Sequence, residues 1–160
     1  MTDSSTKTGV SVLDSATAKQ MIDDYLSTIL SERIASAAGV HQNYERLWKA
    51  IASLHTAGGK RLRPYMTLLM YQAYSQKPVT GALPAAAAQE LLHQAMLIHD
   101  DIIDRDSIRY HIKNVSGQYE DTYTDLIPDP IERRHFADSS AILAGDLLLS
   151  DAHMQIARLD

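Results

Sequence analysis

Cysteine is absent from all 160 residues. That excludes disulfide frameworks, thiolate zinc sites and cysteine nucleophiles, and it permits a reducing compartment. Positive charge is scarce: 15 Lys+Arg against 20 Asp+Glu give a formal net charge of −5. This argues against a general affinity for nucleic acid or anionic membranes, so any anion site must be local. No apolar run approaches the ~20 residues of a membrane span, and the opening MTDSSTKTG lacks a basic region followed by an apolar core. The reading is a cytoplasmic protein without a transmembrane segment. Strand-type alternation, internal repeats and low-complexity tracts are missing as well. What remains, 45% hydrophobic and 22% charged, is the composition of a chain that can build a core.

The pattern that is present is helical. Residues 1–13 are polar and aperiodic at their start and read as a flexible leader, with structure beginning near Asp14. Ile22, Tyr25, Leu26, Ile29, Leu30 and Ile34 then recur at three- and four-residue steps up to Gly39. A second helix with Tyr44, Leu47, Trp48, Ile51 and Leu54 on one side ends at Gly58-Gly59. A third begins around Leu62–Pro64 and carries Met66, Leu69 and Ala73 to the break at Lys77-Pro78. Residues 83–104 form the strongest helix, nearly all apolar until it meets acid, and such a helix belongs inside a bundle. Residues 107–129 read as a long polar connection with at most one short helix. A last helix, with Ile131, Ile142, Leu147, Leu148 and Ala152, runs from Pro130 to Leu159 and is still running where the sequence ends. The fold class is all-α, helices packed on helices.

Two clusters carry chemistry. In His99-Asp100-Asp101-Ile102-Ile103-Asp104, the four-residue spacing puts Asp100 and Asp104 on one helix face and turns Asp101 aside. Like charges at that spacing repel unless a cation lies between them, and hard oxygen ligands on adjacent turns suit Mg²⁺ completed by water and phosphate oxygens. Alone, the same pattern equally describes a helix emerging into solvent. In Gly58-Gly59-Lys60-Arg61-Leu62-Arg63-Pro64, three cations lie within four residues beside two glycines and a helix start, which fits a diphosphate. Alone, this segment is also a helix stop followed by a solvated basic turn, and it lacks the spacing of a nucleotide-binding P-loop. Together the clusters say more: a site holding metal-binding acids and diphosphate-binding bases is what paired diphosphate substrates need.

With GGKRLRP at 58–64, LLHQAMLIHDDIID at 91–104, Arg109 and AILAGDLLL at 141–149, in that order and at those separations, the chain resembles the N-terminal half of the trans-isoprenyl diphosphate synthases, the polyprenyl synthetase family. The resemblance implies the N-terminal part of an isoprenoid-synthase-type helical bundle over residues 14–160, with the C-terminal half absent. It implies a prenyltransferase that condenses isopentenyl diphosphate with an allylic diphosphate, with Mg²⁺ as cofactor. By motif position, Lys60, Arg63 and His93 would bind isopentenyl diphosphate and Arg109 the allylic diphosphate. Asp100 and Asp104 would hold the metal, with Asp101 in support. His93, seven residues before Asp100 and so on its face, is independently a plausible lining residue. The Gly145-Asp146 pair reads as a structural turn. Ala95 and Met96, five and four residues before the first Asp, would govern product length; one is small and the other flexible, so a product longer than fifteen carbons is expected.

Two features depart from the family pattern. Tyr110 stands where a second arginine is usual, with Lys113 the candidate replacement, and no second aspartate-rich motif follows Asp106. The sequence therefore reads as a fragment carrying half an active site, inactive by itself. The alternative is a non-catalytic or half-catalytic subunit of a heteromeric synthase. The family resemblance implies a homodimer for the complete protein, with a heteromer as the other possibility. A class I terpene cyclase shares the acidic motif but has no need of the GGKRLRP segment.

Overall fold

Asp14 opens the first helix: its carboxylate accepts the backbone N–H groups of Ala16 and Thr17, each at 3.0 Å, a cap worth ~1 kcal/mol. The computed structural model describes residues 12–75 and 77–159, so the predicted leader lies outside the described residues apart from Val12 and Leu13. Leu13 is docked, not loose. Its N–H donates to Gln72 and its carbonyl accepts from the Tyr65 hydroxyl, both at 3.0 Å.

The described residues form α1 (Ser15–Ala38), α2 (Gln42–Thr56), α3 (Leu62–Ser75), a 3₁₀ turn (Val79–Ala82), α4 (Leu83–Ile103), α5 (Val115–Thr122) and α6 (Pro130–Ile156). The all-α expectation holds, with one addition. Ile108–Arg109 (β1) and Ile112–Lys113 (β2) pair antiparallel, Ile108 opposite Lys113 and Arg109 opposite Ile112. Their connecting residues, Tyr110 and His111, both have positive φ, 51° and 65°, which is the primed turn a two-residue hairpin requires. Residues 107–129 are therefore not an open polar connection. Asn114, buried, donates to the Asp106 carbonyl at 2.8 Å and accepts the Gly117 N–H at 2.9 Å, fastening the hairpin to α5. Tyr119 and Tyr123 stack on each other and meet Phe136 of α6.

The core runs through α1, α2, α4 and α6, around Ile22, Leu26, Trp48, Ile51, Leu91, Ile98 and Leu148. The most extensive packing is of α4 on α6, and alanine is the residue type both helices bury most often: Ala86, Ala87, Ala88 and Ala95 on one, Ala137, Ala141, Ala144 and Ala152 on the other. Ile131 and Ile142 are exposed, small residues having taken the inward face. One expectation fails here: α6 stops at Ile156, with the Ala157 N–H closing onto His153, and does not run to Leu159. On α3 only Pro64 and Leu68 are buried, and Met66 is exposed.

Candidate active site

The acidic end of α4 is set by how that helix terminates. Arg105 has φ 61°; the Asp106 N–H donates to the Asp101 carbonyl at 2.8 Å and the Arg105 N–H to that of Ile102 at 3.2 Å. This is a Schellman close made with arginine where glycine is usual. A left-handed residue other than glycine costs of order 1 kcal/mol. The helix thus stops directly after its three aspartates. Asp100 and Asp104 are exposed on the shared face, while Asp101 is buried. Arg109, brought back by the hairpin, donates from Nε at 2.8 Å and from Nη2 at 2.5 Å to one oxygen of Asp101, its Oδ1. That hydrogen bond is the main cause holding the Arg109 guanidinium above its ordinary pKa. Asp100 lies 3.9 Å from the same guanidinium.

The basic segment divides. Arg61, to which the sequence assigned no role, turns inward. Its guanidinium donates to Asp23 of α1 and Glu90 of α4, each at 2.7 Å, to the His55 carbonyl at 2.8 Å and to the Gly58 carbonyl at 3.2 Å. Gly59, at φ 127°, makes room: a methyl group there would overlap the Arg61 guanidinium. Beneath it, burial and then the Arg61 charge push the His55 pKa down to about 4. Burial alone raises the Asp23 carboxyl, but hydrogen bonds from Lys19 and Arg61 outweigh it and leave it below its ordinary value. Lys60 and Arg63 stay exposed on either side.

Arg63, Gln89, Leu92, His93, Met96, Leu97 and Asp100 line one open cavity of about 490 Å³. Arg109 and Tyr110 border a much smaller one with Gly58, Arg61, Glu90 and His93, so His93 stands between the two. Burial, and then the charge of Arg63, hold the His93 pKa below its usual value. Lys60 and Asp104 are not among the residues lining the larger cavity. Nor is Ala95, which is fully buried in the core; of the two predicted length-governing residues only Met96 reaches the cavity. Lys113 donates to Asp121 at 2.6 Å on the hairpin's outer side, and the Tyr110 ring lies against Gly58. Gly145-Asp146 sits within α6 and is not a turn. Gly145 admits the His99 ring, whose Nε2 lies 3.2 Å from the Ile142 carbonyl.

The donors suit Mg²⁺ by type: two exposed carboxylates one turn apart, all hard oxygen. Among the described residues no group of three or more His, Asp or Glu side chains forms a protein-only cage, so water and phosphate oxygens would have to complete the shell. Asp101 Oδ2 is buried without a hydrogen-bond partner, which leaves acceptor capacity on the inner side of the same helix end. Sequence reasoning missed Asp23, His55 and Glu90. Glu90 alone gave a signal, since a lone acid inside the apolar run of 83–99 must find a partner or cost several kcal/mol.

A sequence profile of the polyprenyl synthetase family matches residues 44–160. A short chain isoprenyl diphosphate synthase of Methanocaldococcus jannaschii is 37% identical over 115 residues, 72% of this chain and 30% of that protein. A farnesyl diphosphate synthase of Geobacillus stearothermophilus is 35% identical over 144 residues, 89% of this chain and 40% of that one. In three dimensions, a geranylgeranyl pyrophosphate synthase from Corynebacterium glutamicum, crystallised with isoprenyl diphosphate and magnesium, superposes with a TM-score of 0.77 at 26% identity, over 91% of this chain and 42% of its own. The chain thus spans 30–40% of the length of these two curated relatives. Among the described residues no helix is long and apolar enough to cross a membrane.

Proposed function

Because the chain belongs to the polyprenyl synthetase family, we propose that it carries the isopentenyl diphosphate site and the first metal-binding acids of a trans-prenyltransferase that lengthens an allylic diphosphate by isoprene units. The observation that carries this reading is the single cavity in which Arg63, His93, Met96 and Asp100 meet: a cation, an imidazole, an apolar wall and a carboxylate within one space.

In this mechanism Asp100 and Asp104 would hold Mg²⁺, and Asp101 in turn fixes Arg109 against the allylic diphosphate. When bound, the metal neutralises charge that builds on the leaving diphosphate. Arg109 adds a preorganised cation to the same oxygens, already oriented by its bonds to Asp101 and so without reorganisation at the moment of reaction. Lys60 and Arg63 grip the diphosphate of isopentenyl diphosphate, with His93 completing the contact. The allylic C–O bond ionises, the double bond of isopentenyl diphosphate attacks the resulting cation, and a proton leaves. Leu92, Met96 and Leu97 exclude the water that would quench that cation.

The same reading gives the complete protein a cytoplasmic location and a homodimeric state. It also gives a product longer than fifteen carbons, because Met96 is flexible and a second apolar groove, lined by Ala88, Gln89, Leu92, Ala152, His153 and Ile156, shares Gln89 and Leu92 with the first. The test incubates the complete gene product with Mg²⁺, isopentenyl diphosphate and a series of allylic diphosphates, with products sized by mass spectrometry. Chains beyond C15 are expected. A C15 product alone, with Met96→Phe changing nothing, would remove the length assignment.

A further inference from the structure

Arg61 sits between two cations assigned to isopentenyl diphosphate, yet it is buried and cannot reach that ligand. We propose that Arg61 is a positioning residue: clamped between Asp23 and Glu90 and bonded to the His55 and Gly58 carbonyls, it sets the loop from which Lys60 and Arg63 meet isopentenyl diphosphate. The identity of the ligand rests on the proposed function above; the setting of the loop does not.

Four acceptors from four places converge on one guanidinium: α1 through Asp23, the end of α2 through the His55 carbonyl, the loop itself through Gly58, and α4 through Glu90. Only a planar fork with several fixed donors can satisfy them together; a lysine ammonium supplies charge without that geometry. The backbone is committed to the same arrangement. Arg61 has φ 51°, a left-handed turn that sends its side chain back under the loop. Its carbonyl then accepts the Tyr65 N–H at 2.9 Å, the bond that starts α3. Arg63 is the second residue of that helix, so its direction follows from where Arg61 turns. The Arg61 charge is meanwhile spent on two carboxylates, which makes its effect on an outside anion one of placement more than attraction. The allylic side is an internal control, because Arg109 is anchored separately by Asp101.

The test measures, on the full chain, calorimetric binding of isopentenyl diphosphate and, with Mg²⁺ present, of geranyl diphosphate, together with amide hydrogen exchange. In Arg61→Lys, isopentenyl diphosphate is expected to bind at least about tenfold more weakly and geranyl diphosphate within about threefold of wild type. Exchange should quicken at residues 57–63 and stay unchanged in α4 and α6. Equal weakening of both ligands, or unaltered exchange at 57–63, overturns the proposal. Should Arg61→Lys fail to fold, Glu90→Gln, which weakens one clamp partner at constant shape, is expected to show the same split at smaller size, and its absence is equally contrary. Lys60→Ala and Arg63→Ala judge the functional reading separately. If neither weakens isopentenyl diphosphate binding, that reading fails while the exchange result still decides the role of Arg61.

Discussion

At the scale of single residues, the energetics concentrate on two arginine clusters. Arg109 is half-buried over the buried Asp101, whereas Arg61 and Glu90 are both buried, and there losing one partner costs ~3–5 kcal/mol. His55 makes the second cluster sensitive to acid. The fold favours its neutral ring, so between pH 6.5 and about 4 the unfolded chain binds a proton that the folded chain does not. Stability therefore falls as pH drops through that window. A decrease of roughly 2 kcal/mol between about pH 7 and pH 5 is expected from this one group. Urea denaturation of wild type and His55→Gln at both pH values checks it: the variant should lose most of the difference, and equal slopes would show that His55 is not its source. The Arg61 cluster was hard to read in sequence beyond the lone acid at Glu90, because Arg61 finds Asp23 and Glu90 across separations of 38 and 29 residues, and no spacing rule connects positions so far apart.

Elements were easier to read where local periodicity decides them. Helices α1, α2 and α4 stand within a few residues of their predicted bounds because each repeats apolar side chains at helical steps or, in α4, is rich in alanine. The hairpin was hidden for the opposite reason: two-residue strands show no alternation, and Tyr110-His111 lacks the Asn-Gly chemistry that announces such a turn. The inward face of α6 is filled by alanines, Gly145 and Leu148, while the larger Ile131 and Ile142 stay exposed. That interface yields a prediction. Gly145→Ala drives a methyl into the His99 ring, and overpacking of this kind costs ~1–3 kcal/mol. A lower unfolding midpoint is expected, largely restored by adding His99→Ala. A silent Gly145→Ala would mean that α4 and α6 are not held at this distance.

Over the whole molecule, a net charge of −5 conceals a local gathering of cations, with Arg63 and Arg109 brought to the end of α4 where the acids also lie. The acids and bases that sequence analysis set side by side are therefore joined in space through His93 and Asp100, although Ala95 turns to the core and Arg61 becomes a strut. The surface also carries Leu62, Met66, Met70 and Tyr74 at four-residue steps along α3, all exposed, a stripe of the kind that marks an interaction surface. The central claim, that the carboxylate face of α4 handles the metal-bound diphosphate, is tested most directly by Asp100→Ala in the complete gene product, assayed with Mg²⁺, isopentenyl diphosphate and geranyl diphosphate by mass spectrometry. The account predicts that elongation disappears while the protein stays folded; elongation at the wild-type rate would contradict it.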